Sequence, residues 1–133
     1  MKGWCFEMDA ANRSVIAYIA GRLIIGDGGW WMHDHDRDYR VHFEGSFEPA
    51  TVKVYSHELH SHVLGVGAEG KYQLFQHGAG GAFDLLINSE EKTFSGWEHM
   101  TSFHFAGRVE ETTVYLFDFQ DLAWHMYTMN MTA

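Results

Sequence analysis

Cysteine and proline are nearly missing from this chain of 133 residues: each occurs once, as Cys5 and Pro49. A single cysteine excludes an internal disulfide, so no oxidising compartment is required for folding. Basic residues are scarce as well, 9 Lys and Arg against 18 Asp and Glu, which leaves a net charge of −9 with histidine neutral. Phosphate backbones and anionic bilayer surfaces attract the opposite balance, so neither nucleic acid nor a membrane is expected as partner. The longest apolar run, Val15 to Ile25, contains Arg22 and is about a third too short to span a bilayer. Glu7 and Asp9 interrupt the apolar character of the N-terminal residues, which argues against a signal peptide and for a cytoplasmic location. No G-x-S-x-G elbow, P-loop or H-E-x-x-H pair is present, so no nucleophile or phosphate cradle is placed by a motif.

Aromatic side chains are plentiful, at 16% of the chain within a hydrophobic content of 46%. That is enough apolar surface for one packed domain over residues 1–133, and the aromatics favour strands, whose pleated faces accept flat rings. Strict alternation supports strands at several places. Phe103, Phe105, Gly107 and Val109 share one face while His104, Ala106, Arg108 and Glu110 share the other; Val52 and Val54, and Phe83, Leu85 and Ile87, alternate likewise.

An internal repeat organises these segments. Val41 to Tyr55 aligns without gaps on Phe103 to Phe117, an offset of 62, with His42/His104, Phe43/Phe105, Gly45/Gly107, Glu48/Glu110, Thr51/Thr113 and Val52/Val114 identical. The halves run approximately over 2–67 and 79–131, each reading as about five strands. The expected fold is therefore all-β: an antiparallel, calycin-like barrel, or a two-sheet sandwich. Ser14 to Ile25 admits two readings, a buried helix capped by Asn12 or Ser14 or a strand, and is read as a strand, because Val15, Ile16, Ile24 and Ile25 are β-branched and the matching stretch after Thr93 is broken by Gly96.

The halves differ at one place. Val15 to His42 spans 27 residues and Phe94 to His104 only 10, so the first half carries 17 more. The excess centres on 26–38, a segment with glycines, the pair Trp30-Trp31 and the run His33-Asp34-His35-Asp36, and is read as an inserted functional loop.

Histidine is over-supplied, at 10 residues. Alternate side chains of a strand project in parallel, so His60 and His62 form a natural chelating pair; with His33, His35 and Asp36 they are the metal ligands expected for a divalent transition ion. Trp30, Trp31, Trp97 and Trp124, with His42 and His104, are the residues expected to line a site for a small hydrophobic or aromatic ligand. Glu44, Glu58, His42 and His60 are the candidates for acid–base chemistry, and no catalytic set is assigned. The functional expectation is a small-molecule-binding β-barrel or sandwich with a His-rich divalent metal site. The alternatives are a small barrel enzyme of lyase or isomerase type and a homo-oligomeric interaction module, for instance a homodimer formed through free edge strands. The tail with Met126, Tyr127, Met129 and Met131 is read as closing the sheet.

Overall fold

The structure is a computed structural model that describes residues 9–26, 28–78, 80–99 and 102–130. Cys5, Asp27 and Met131 lie outside the described residues. One helix, α1 (Ala10–Ile25), precedes β1 (Trp31–Asp34), β2 (Tyr39–Phe47), β3 (Thr51–Ser56), β4 (Ser61–Ala68), β5 (Lys71–Gln76), β6 (Gly81–Asn88), β7 (Thr93–Glu98), β8 (His104–Glu110), β9 (Thr113–Asp118) and β10 (Ala123–Met129). Each strand pairs antiparallel with its neighbour in sequence, and β1 pairs with β10, so the sheet closes into a barrel of ten strands. Of the two architectures compatible with the sequence pattern, the chain adopts the barrel.

The alternation seen in the sequence sorts cleanly by direction. Met32, Val41, Phe43, Val52, Val54, Val63, Leu74, Phe83, Leu85, Phe94, Phe105, Val114 and Leu116 point inward and are buried. Outward positions carry Arg40, Glu44, Lys53, Lys71, Asp84 and Arg108, interspersed with aromatics. Size alternates across facing positions as well. Gly96 lies opposite Phe105 and Gly107 opposite Phe94. A Cβ on Gly96 would stand 2.5 Å from Phe105 Cζ, and one on Gly107 would stand 2.6 Å from Phe94 Cζ. Each glycine is the space into which the opposing ring folds.

The segment expected as a strand, Ser14 to Ile25, is helical instead. Asp9 caps α1 by accepting from Asn12 N at 2.9 Å, and Gly26 ends it in the left-handed region (φ 85°), donating to Arg22 O. From Ser14 to Gly21 every residue is buried, whichever way it faces. A helix apolar on all sides belongs in an interior, and α1 contacts β6, β8, β9 and β10; it occupies the barrel lumen. The β-branched residues that suggested a strand cost a helix only about 0.5 kcal/mol each. Fully burying a side chain such as Ile16 or Ile19 returns about 2 kcal/mol, and burial decides. Tyr18 anchors the helix laterally: its ring stacks on Phe43 at 4.2 Å, and its hydroxyl donates to Gly29 O at 2.8 Å and accepts from Arg22 at 2.9 Å.

The 26–38 segment is also corrected. It is not a loop outside the scaffold, because Trp31–Asp34 form β1, the strand that closes the barrel, and residues 35–38 are its hairpin turn. Trp31 pairs with His42 as Trp97 pairs with His104. The 62-residue offset has a register counterpart, since Phe43 lies opposite Ser56 and Phe105 opposite Asp118. A shorter period runs inside it. The last inward residue of each odd strand is polar and buried: Asp34, Ser56, Gln76, Glu98 and Asp118, spaced 22 or 20 residues apart. Four of these are followed by histidine (His35, His57, His77, His99) and the fifth by Phe119. Much of the histidine excess is thus one turn position used repeatedly.

Candidate metal centre at the polar end of the barrel

All five odd-to-even hairpins turn at the same end of the barrel, so their inward polar residues form a ring there, joined by Ser61 and His125. The N-terminus of α1 enters at this end and brings Asn12 and Arg13 into the ring. Buried polar groups hold only when they are satisfied, and the sequence supplies partners. Arg13 Nη1 lies 3.0 Å from Asp118 Oδ2 and 3.7 Å from Asp121 Oδ2. Arg37 ties Asp34 (Nε to Oδ2, 2.7 Å) to Glu58, whose Oε1 accepts from Nη2 at 3.0 Å and whose Oε2 accepts from Tyr39 at 2.6 Å. Backbone N–H groups of Asp36 and Arg37 also donate to Asp34, at 2.9 and 3.2 Å, which fixes the β1–β2 turn.

These ties show in the acidities. Partial burial alone would raise the Glu58 carboxyl, but hydrogen bonds from Arg37 and Tyr39 outweigh it and hold Glu58 below the usual carboxylate range. Desolvation lowers the Arg37 guanidinium, and its bonds to Glu58 and Asp34 more than reverse this. Tyr127 is buried beside Arg13; desolvation pushes its phenol well above the ordinary tyrosine value despite the nearby cation.

Around His125 the geometry changes character. Its ring is 7% exposed, its Nε2 faces Asp121 Oδ2 at 2.9 Å, and its Nδ1 contacts Asp36 Oδ2. Asp118, Asp121 and His125 each bring a ligand atom within 4.8 Å of the others, and among the described residues this is the one group of three or more such side chains that converges. The β9–β10 turn makes the group: Asp118 ends β9 and caps Gln120 N at 2.8 Å, Asp121 caps Ala123 N at 3.0 Å, and His125 is the first buried inward residue of β10.

The residues singled out from the sequence are distributed differently. Asp36 joins this group through His125. His33 points outward from β1, its Nε2 3.2 Å from Asp38 Oδ1, and His35 in the turn meets Thr128 Oγ1 at 2.8 Å; the two rings lie 4.8 Å apart, edge to face. His60 sits in the β3–β4 turn and His62 points outward from β4 beside Tyr55. Because β1 and β4 are separated by β2 and β3, about 14 Å of sheet keeps His62 away from His33, and the five do not come together. Trp30 is 70% exposed, and Trp31, Trp97, Trp124, His42 and His104 all stand on the outer face. None of them borders the lumen, which α1 fills. Glu44 pairs with His57 at 2.8 Å on the outside, and Glu58 is committed to Arg37.

Histidine density does not single out Asp118, Asp121 and His125; polar residues interrupting an inward apolar stripe do. The spacing Asp118-x-x-Asp121-x-x-x-His125 across a turn was the available signal. Among the described residues, no helix is long and apolar enough to cross a membrane. Comparison of the chain with protein families, with curated proteins and with solved structures finds no match.

Proposed function

We propose that this protein is a divalent-cation-binding β-barrel whose ion is held by Asp118, Asp121 and His125, with Asp36 supporting the histidine. The observation that carries the reading is the pair of contacts on His125. Asp36 at Nδ1 leaves Nε2 aimed at the carboxylates, the carboxylate–histidine arrangement that orients an imidazole for a metal. Two carboxylates and one imidazole suit zinc or manganese better than a thiolate-seeking ion. Three protein ligands leave coordination positions for water or a ligand. Arg13 neutralises Asp118 and Asp121 in the ion's absence, and ion binding draws Asp121 away from its guanidinium.

The test is calorimetric titration of the full chain with zinc and with manganese, repeated on Asp121→Asn, His125→Ala and Asp36→Asn. Binding is expected in the micromolar range or tighter, abolished by His125→Ala and weakened about 10–100-fold by Asp36→Asn. Asp121 is partly exposed, so Asp121→Asn tests the ligand without emptying the core. Equal affinity in all four proteins, or none above trace in the unaltered one, refutes the reading.

A further inference from the structure

On the outside of the barrel, at the seam where β1 meets β10, lies a second place with binding chemistry. Here we infer that a small organic anion, a carboxylate with an apolar body, binds in the open groove formed by Trp31, His33, His35, Arg40, Thr128 and Met129. The groove encloses about 530 Å³, within the range that accommodates a small molecule.

Arg40 is the centre of the argument. The protein has five arginines, and four have oxygen partners: Arg13 with Asp118, Arg22 with the Tyr18 hydroxyl, Arg37 with Asp34 and Glu58, and Arg108 with Glu110. Arg40 is exposed, and among the described residues its guanidinium has no oxygen partner, although acids outnumber bases two to one in this chain. Among the described residues its one partner is a ring: the guanidinium lies 4.1 Å from the centroid of Trp31. Stacking on an indole holds a guanidinium in one orientation while leaving its N–H edge open, the edge that receives a carboxylate through two parallel hydrogen bonds.

The rest of the groove completes the recognition. His33 and His35 project beside Arg40, which lies opposite His33 in the β1–β2 register. Thr128 holds His35 through its hydroxyl, and the Trp31 edge supplies an apolar wall. Asp38 pairs with His33 at 3.2 Å and is itself largely in water. A cationic, aromatic-backed concavity on a protein of net charge −9 selects an anion locally while the remaining surface repels one. Inorganic phosphate would satisfy Arg40 but leave the Trp31 edge uncovered.

The seam also explains why a groove exists there. The β1–β10 ladder has three register pairs, against six for β9–β10, so the outer face is interrupted where β1 runs out.

The experiment is a titration of the full chain, with EDTA present, by benzoate, by inorganic phosphate and by benzamidinium, followed by backbone amide shifts and calorimetry. Benzoate is expected to bind saturably in the millimolar range or tighter, with shifts confined to β1, the start of β2 and the end of β10. Arg40→Gln should weaken it at least about tenfold, and Trp31→Leu should weaken it too. His62→Ala, on another part of the outer face, should leave it unchanged; benzamidinium should not bind. Both Arg40 and the Trp31 ring lie outside the core, and an unchanged melting temperature confirms that the variants fold. Absence of saturable benzoate shifts, or equal affinity in Arg40→Gln, overturns the inference, as does phosphate binding as tightly as benzoate.

Discussion

Replacing Ile16 by alanine tests the placement of α1 more sharply than any surface change. Ile16 is fully buried, and it lies in a stretch where the residues on either side, Val15, Ala17, Tyr18 and Ile19, are buried too. On an exposed helix the exchange would stabilise by a few tenths of a kcal/mol, because alanine is the better helix former. Inside the barrel the sign reverses. The substitution deletes three carbon atoms from a site walled by a closed, hydrogen-bonded sheet, which cannot collapse into the space as a loose helical bundle can. Isoleucine-to-alanine costs span about 2–5 kcal/mol, and the residual cavity adds about 24 cal/mol for each Å³ that fails to close; a rigid wall places Ile16→Ala near the upper end, about 4 kcal/mol. Urea denaturation followed by tryptophan emission measures it, with the slope of the transition checking that the unfolded reference is unchanged. Leu23→Ala, in the partly exposed last turn, should cost less than half as much. A loss under about 1 kcal/mol for Ile16→Ala would show that α1 does not fill the lumen.

Other outcomes follow from contacts described above. Gly107→Ala should destabilise by about 1–3 kcal/mol or prevent folding, since the added methyl meets the Tyr115 carbonyl oxygen of the neighbouring strand as well as the Phe94 ring; thermal melts measure it, and Phe94→Leu in the same chain should not restore the loss because the backbone clash stays. Arg37→Ala leaves Asp34 buried without its guanidinium and should cost about 3 kcal/mol at neutral pH. Because Glu58 is held below its ordinary value, its contribution is present above the unfolded carboxyl value and disappears as pH falls through the folded one. The gap between Arg37→Ala and the unaltered protein should therefore narrow in acid melts. Tyr18 and Tyr127 are both raised by burial, so their contribution is complete below the ordinary tyrosine value and is lost as pH climbs above it. Ultraviolet titration should show two phenols that ionise only with unfolding, and early ionisation of all tyrosines would contradict this.

The parts of the fold that alternate were legible, because period two is a local property of a half-buried strand. Alpha-1 was not, because a helix surrounded by sheet has no polar face and so no period; only its caps, Asp9 and Gly26, betrayed it. Beta-1 was hidden for a different reason. Four residues are too few for alternation to register, and the glycines and aspartates flanking them resemble a loop. The candidate metal centre was half visible: Asp36 was named from the sequence, but its partner His125 is 89 residues away and becomes its neighbour only when β1 closes on β10.

The burial of α1 on every side has a consequence for synthesis. The helix precedes every strand, and the last strand that covers it, β10, ends at Met129, 104 residues after Ile25. At about 5–20 residues per second, a ribosome exposes that largely apolar segment for about 5–20 s before its enclosure can be finished. Until then no face of α1 can be turned safely to water. A chaperone that holds extended apolar segments should therefore engage the nascent chain at Val15–Ile25 and release it as β10 emerges.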